Sequence, residues 1–387
     1  MTKNPVPPFD FDTPVERRHT ASLKWDRYKG RDIIPLWVAD MDFKAPPAVI
    51  AALHRHVDHG VFGYTVAPDD LVEAVMDLLE REHAWVTKPE WIVWLPGLVS
   101  GLNVACRAVG EPGDAVATTT PAYPPFLSAP SLSQRTLVTV PHVDDGPRYG
   151  FDFTAIEQAI TDRTRMFILC NPQNPTGRSF TRYELSRLAQ ICQRRQVVIC
   201  SDEIHCGLIL DPDKSHVPLA TLDEEIARQT ITLLAPSKTY NLPGLGCSLA
   251  VIPDKGLRTS FKKAMEGIVP HVNALGLTAA LAAYRDGADW RAALLDYLRG
   301  NRDLVEWYVA RLPGLSMHHV EATYLAWIDC RGLNTPHPAA FFEDAGVGLS
   351  DGTEFGAPGF VRLNFGCPRS VLTEALDRMG KALERLP

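Results

Sequence analysis

The sequence predicts an α/β protein: a large domain built on a mostly parallel seven-stranded sheet, and a smaller α+β domain. Three observations carry this. From Trp91 to Ile252, short apolar runs bounded by turns alternate with amphipathic helices, as in a parallel sheet covered on both faces. A long helical stretch, Ala274 to Arg311 with an interruption near Gly287, then leads into a tail that mixes strands and helices. Finally, 387 residues are more than a single small core accommodates. The large domain is expected at 46–287. The small one is expected to be discontinuous, 1–45 with 288–387.

The elements follow in order. Phe9 to Lys29 is polar and reads as irregular. Leu36-Trp37-Val38-Ala39 reads as a short strand that gives way to Asp40-Met41-Asp42-Phe43 and is broken by Pro46-Pro47. Val49 to Val57 reads as a helix. Asp69 to His83 is a stronger one, with Leu71, Val75, Leu78 and Leu79 on one face. Seven runs read as strands: Ile92 to Trp94, Ala115 to Ala117, Leu137 to Val140, Arg165 to Leu169, Gln196 to Cys200, Thr230 to Leu234 and Ser248 to Ile252. Thr181 to Arg194 is a helix between two of them, and Thr181 with Glu184 matches a capping box. In the tail, strands are expected at Tyr324 to Ile328 and Val361 to Asn364. Helices are expected at Pro338 to Ala345 and Leu372 to Leu386.

Composition narrows the function. Hydrophobic residues make up 45% and charged residues 22%, which fits a globular protein with a substantial interior. A net charge of -7 gives no reason to expect nucleic acid or an anionic membrane as a partner. There is no run of 18 apolar residues, and Met1 to Asp12 has no apolar core of a signal peptide. A cytoplasmic enzyme is the expectation. None of the eight cysteines forms a C-x2-C pair, so they read as reduced core thiols, and no metal site is expected.

The chemistry sits at strand ends. Lys238 lies in Pro236-Ser237-Lys238-Thr239-Tyr240-Asn241, just after an apolar run. Asp202 lies in Ser201-Asp202-Glu203-Ile204-His205, just after another. A lysine there can form an imine with an aldehyde cofactor, and a carboxylate nearby can keep a pyridine nitrogen protonated. That pair is the chemical minimum for pyridoxal phosphate catalysis. Two further segments fit. Pro96-Gly97-Leu98-Val99-Ser100-Gly101 follows a strand and opens a helix, where backbone amides can receive a phosphate. Asn171-Pro172-Gln173-Asn174-Pro175-Thr176-Gly177 is a turn after a strand, and Asn174 there can donate to the phenolic oxygen of the cofactor. Ligands collect at the carboxyl ends of such strands.

Taken with Trp37-Val38-Ala39-Asp40-Met41-Asp42-Phe43, Phe62-Gly63-Tyr64, Pro121-Ala122-Tyr123-Pro124-Pro125-Phe126, Thr323-Tyr324-Leu325-Ala326-Trp327 and Phe360-Val361-Arg362-Leu363-Asn364-Phe365, these segments resemble the fold-type I pyridoxal-phosphate enzymes of the aspartate aminotransferase superfamily. More narrowly, they resemble its cystathionine β-lyase, or cysteine-S-conjugate β-lyase, branch. The matches span 37 to 365.

The resemblance implies roles. Lys238 would be the imine lysine and the base at the substrate Cα. Asp202 would pair with the pyridinium nitrogen, and Tyr123 would stack on the ring. Asn174 and His205 would lie near the phenolic oxygen, although many aminotransferases have a tyrosine in the place of His205. Ser237 and the amides of Gly97, Leu98 and Val99 would hold the phosphate, with Tyr64 reaching the phosphate of a neighbouring subunit in a homodimer with shared sites. Arg362 would clamp the α-carboxylate of a small amino-acid substrate, assisted by backbone near Ala39, with Tyr324 close by. Three places depart from the pattern. Gly246 stands where many members carry a phosphate-binding arginine, Ala235 lacks a hydroxyl often found there, and Cys206-Gly207 replaces an acidic-apolar pair. The implied activity is a carbon-sulfur β-lyase. An aminotransferase, and a non-catalytic regulator on the same scaffold, are the alternatives.

Overall fold

The computed structural model describes residues 9–144, 146 and 148–385. The reading of residues 1–8 and the expected helix end at Leu386 lie outside the described residues. The large sheet has seven strands: β1 Ile92–Leu95, β2 Ala115–Thr120, β3 Thr136–Pro141, β4 Thr164–Cys170, β5 Val198–Asp202, β6 Thr230–Leu234 and β7 Ser248–Val251. Their order is β1-β7-β6-β5-β4-β2-β3. All neighbours are parallel except β7, which runs against both β1 and β6.

Alternation along the strands feeds two cores. In β4, Met166 and Ile168 join one cluster, while Phe167 and Leu169 join the other. This is the two-residue period of a sheet covered on both faces. The helix Arg182–Arg194 covers the second face through Leu185 and Leu188. Thr181 and Glu184 form the expected capping box.

A second, antiparallel sheet takes Ser316–Met317, Leu325–Asp329, Phe360–Asn364 and Ser350–Asp351 in that spatial order. Helices Pro338–Asp344 and Arg369–Leu383 accompany it. Helices Ala274–Asp286 and Ala288–Val309 break at Gly287, as expected. Ile34–Pro35 pairs in parallel with Val347–Gly348, which binds the N-terminal segment to the C-terminal part.

Several elements differ from the sequence reading. The strand expected at Leu36–Ala39 does not form. The carbonyls of Trp37, Val38 and Ala39 are taken by side chains instead of a ladder. β5 begins at Val198, because Gln196 has a left-handed φ of 54°. Asp202 is the last residue of β5 rather than a residue beyond it. The polar stretch before Lys29 contains a one-turn helix, Leu23–Asp26, capped by Ser22. The last helix starts at Arg369, directly after Pro368, because a proline before the first turn costs the helix no hydrogen bond.

His319 ties the approach to the small sheet onto its neighbours. It lies 2.9 Å from Glu306 and 2.8 Å from Asp211. Hydrogen bonding to Glu306, and then to Asp211, outweighs burial and raises its imidazole to about 9. The raised value means the contribution is complete below about pH 6.5 and is lost as pH rises towards 9. His319→Gln should therefore lower stability at pH 6, by roughly 0.5–1 kcal/mol for so exposed a pair, and leave it unchanged at pH 10. Thermal unfolding at the two pH values checks this.

Candidate active site

The register of the large sheet builds the site. Cys170 is paired with Asp202, and Asp202 with Leu233, so β4, β5 and β6 end level. The Asn171–Gly177 turn, Asp202 and the Ala235–Lys238 segment therefore open onto one rim. A cavity of about 290 Å³ lies there, closed from the other side by Arg362 and Ala39. Gly97, Leu98, Val99, Tyr123, Asn174, His205 and Ser237 also line it. Two expected site residues do not. Tyr324 is buried behind the wall, its hydroxyl donating to the Ala39 carbonyl at 3.0 Å and its ring edge-on to His205. Tyr64 is 109% exposed, in the irregular connection before the helix Asp69–His83.

Lys238 follows β6, and its Nζ donates to the Ala39 carbonyl at 2.6 Å. Burial, then Arg362, lowers its amine to about 8, against Asp40 and Asp202. At neutral pH the neutral, nucleophilic form is therefore accessible. Asp202 is buried, and one oxygen accepts from the Ile204 N–H at 3.1 Å. Burial raises its carboxyl to about 7. A cation bound against it would draw that value down and be held in return.

Arg362 is buried on the strand Phe360–Asn364. Its Nη1 donates to Asn174 Oδ1 at 2.9 Å, and its Nη2 to the Trp37 carbonyl at 2.9 Å and Ser350 Oγ at 3.3 Å. Nε has no partner, and the Phe355 ring lies 4.7 Å from the guanidinium. Burial lowers its pKa to about 10, so the group stays charged at neutral pH. Three neutral partners orient the fork and leave its charge uncompensated, ready for an anion. His205 is buried with Nδ1 unpartnered, and burial holds it well below the usual imidazole value.

The helix Leu98–Ala108 starts at Gly97 with no side-chain cap, and the space where a Cβ at Gly97 would sit is open. Its first-turn amides are thus free for an anion, which the helix end favours electrostatically. Gly246 has φ +55°, and a Cβ there would lie 3.0 Å from the Pro96 carbonyl. An arginine at this place would be strained, so the missing cation is built into the backbone. Ala235 lines the cavity as well. Gly207 has a local reason: a Cβ would meet Thr239 Oγ1 at 2.7 Å.

Sequence reasoning missed the Trp37 carbonyl, Ser350, Asn364 and Asn241. Ser350 is paired with Arg362 across two strands, and no spacing reveals that register. Asn364 and Asn241 stood inside quoted motifs, but their bonds to the Val38–Phe43 backbone need the fold. Among the described residues no cluster of three or more His, Cys, Asp or Glu could hold a metal ion. No helix among them is long and apolar enough to cross a membrane. The eight cysteines are free thiols.

Known proteins resemble this chain over nearly its whole length. The chain is 37% identical to "Cystathionine beta-lyase PatB" of Bacillus subtilis, covering 97% of this chain and 100% of that protein. The crystal structure of OvoB superposes with a TM-score of 0.96 at 46% identity, covering 97% of this chain and all of the other. Cystalysin from Treponema denticola, whose crystals contain pyridoxal 5'-phosphate, has a TM-score of 0.94 at 32% identity, over 98% of this chain and 100% of that one. The sequence model of aminotransferase class I and II matches residues 31–379. That match takes in the cavity walls from Ala39 to Arg362, and with them the chain belongs to the aminotransferase class I and II family.

Proposed function

We propose that the protein is a pyridoxal-phosphate-dependent carbon-sulfur β-lyase that cleaves cystathionine or other cysteine S-conjugates to pyruvate, ammonia and a thiol. The carrying observation is the convergence of Lys238, Asp202 and Arg362 on one cavity. The names of PatB and cystalysin's cofactor support the same reading.

The residues present fit the cofactor. A buried carboxylate with a raised pKa needs a cation, and Asp202 suits a pyridinium nitrogen. Tyr123 offers a ring face, and Asn174 with His205 offers polar atoms for the phenolic oxygen. Ser237 and the amides of Gly97, Leu98 and Val99 suit the phosphate. Lys238 would attach the group covalently. When bound, the cofactor supplies an electron sink for the Cα carbanion.

The chain's own residues do the rest. Arg362 binds the substrate α-carboxylate and fixes the Cα–H bond towards Lys238. The neutral Lys238 amine takes the Cα proton. The Ala39 carbonyl, already 2.6 Å from Nζ, then accepts from the ammonium that results. With the electron pair at Cα, the β-thiolate can leave. Lys238 and Arg362 are the two cations among the described residues lining the cavity, and both are committed. A carboxylate on a short side chain, held close to Cα, finds no further cation among the described residues lining the cavity, which argues against transamination of dicarboxylic amino acids. The test is a panel of cysteine S-conjugates. Pyruvate and thiol released without added keto acid support the lyase. Strict dependence on a keto acid would make it an aminotransferase, and no turnover by the cofactor-loaded protein would make it a binding protein.

The active unit is a homodimer with shared sites, in the cytoplasm, and each chain divides into 46–287 and a discontinuous 1–45 with 288–387. The dimer rests on Tyr64, which stands clear of its own cavity beside exposed Val61, Phe62 and Val66. An apolar, aromatic arm of this kind suits a second copy. Tyr64→Phe should weaken cofactor binding by about 1–2 kcal/mol, the cost of one hydrogen bond to a charged group. Dialysis against a cofactor trap measures this, and an unchanged off-rate removes the tyrosine from the phosphate site.

A further inference from the structure

The one-turn helix Leu23–Asp26 is inverted. Leu23 is 72% exposed, whereas Lys24 is 0% exposed. Burying an ammonium costs several kcal/mol even when it is paired, and an apolar pair of similar size is commonly as stable. Stability alone therefore gives no reason for this arrangement. What Lys24 touches gives one. Its Nζ donates to Asp42 Oδ2 at 2.8 Å and to the Asp40 carbonyl at 3.2 Å. Arg17 reaches Asp42 Oδ1 and Asp40 Oδ2, each at 2.6 Å, and the Trp25 indole donates to Asp42 Oδ1 at 2.8 Å. The carbonyl of Lys24 itself accepts from the Trp37 indole at 3.2 Å.

Between these anchors lie the two carbonyls that face the site. That of Trp37 holds Arg362, and that of Ala39 holds Lys238. Backbone bonds hold the segment at Leu36 and at Asp42, and between those two points the carbonyls of Trp37, Val38, Ala39 and Asp40 are held by side chains. Asn364 donates to the Val38 and Asp40 carbonyls, both at 2.7 Å, from the same strand as Arg362. Lys24 and Arg17 supply the opposite side.

We propose that Lys24, supported by Arg17, is a positioning residue: by holding Asp42 and the Asp40 carbonyl it fixes the Ala39 carbonyl against the Lys238 amine. This rests on the reading of Lys238 as the base at Cα. Lys238 faces Arg362, Asp40 and Asp202 as its charged neighbours. An acceptor held against the amine favours the ammonium, so loosening it lowers the amine's pKa.

The test uses full-length, cofactor-loaded Lys24→Met and the double variant Lys24→Met/Asp42→Asn. Lys24→Met leaves Asp42 Oδ2 without its ammonium while Arg17 and the Trp25 indole still hold Oδ1. Asp42→Asn removes the buried charge and leaves Arg17 its bond to Asp40, so the double variant should regain part of the thermal stability lost in the single one. If Lys24 positions the site, kcat in both should fall about 10- to 100-fold, the usual effect of a misplacement near 1 Å, with a smaller rise in KM because the Trp37 carbonyl that holds Arg362 lies on the same segment. The acid limb of the kcat profile should move to lower pH by about half a unit or more. The pH midpoint of the resting enzyme's cofactor absorbance, which needs no turnover, should move as well. Recovery of wild-type kcat together with stability in the double variant would overturn the proposal. So would a fall in kcat with limb and midpoint unchanged, or failure of both variants to fold, since each outcome marks a structural role only. A wild-type enzyme that releases no pyruvate would instead sink the lyase reading, and the absorbance midpoints would still decide on Lys24.

Discussion

Lys238→Ala should lose at least about 10³-fold in kcat on any cysteine S-conjugate that the wild-type protein cleaves. General-base transfer alone is worth roughly 10²–10⁴, and the variant also loses its covalent hold on the cofactor. The geometry singles out this lysine. Its Nζ is held 2.6 Å from the Ala39 carbonyl in a cavity that brings its amine to about 8. No other lysine lines that cavity among the described residues. Borohydride should fix the cofactor to the wild-type protein at Lys238 and fail to do so in the variant. Peptide mapping that marks a different lysine would refute the assignment.

Arg362→Ala should cost on the order of 2–4 kcal/mol, about 30- to 1000-fold in kcat/KM. The guanidinium is buried, charged, and held by Asn174, Ser350 and the Trp37 carbonyl, with Nε left unpartnered. Arg362→Lys should recover little, because an ammonium cannot hold those three partners and present a second, planar face to a carboxylate. The loss should appear in kcat as well as KM, since the clamp also orients the Cα–H bond. Steady-state kinetics of the two variants on one good substrate decide the matter, and near wild-type values in Arg362→Ala would place the carboxylate elsewhere.

The segment that Lys24 positions connects these two residues. Lys238 and Arg362 are held by carbonyls only two residues apart, Ala39 and Trp37. A shift of that segment disturbs base and clamp together. Effects of Lys24 and Arg362 substitutions should therefore depart from additivity, as they do for residues coupled through a shared backbone shift.

Much of this molecule could be read along the chain, because its large sheet is built from local signals. The apolar runs that became β1 to β7 are short, bounded by turns and separated by helices. The capping box at Thr181 and Glu184 depends on residues three apart. Lys238, Asp202 and Asn174 were legible for the same reason, since Asp202 ends its own buried strand and the other two closely follow theirs. Other features needed contacts between distant residues. The direction of β7 against its neighbours depends on pairing, which apolar pattern does not encode. Leu36–Ala39 has strand-like residues, yet its carbonyls go to Arg362, Asn364, Lys238 and Tyr324, up to 326 positions away. A local preference of a few tenths of a kcal/mol per residue yields to several buried hydrogen bonds of about 1 kcal/mol each. Ser350 reaches Arg362 only through strand register. Lys24 lies in the polar stretch Phe9 to Lys29 and nothing along the chain marks it until the fold brings Asp42 and the Asp40 carbonyl to it, because only a partner in space makes a buried ammonium tolerable.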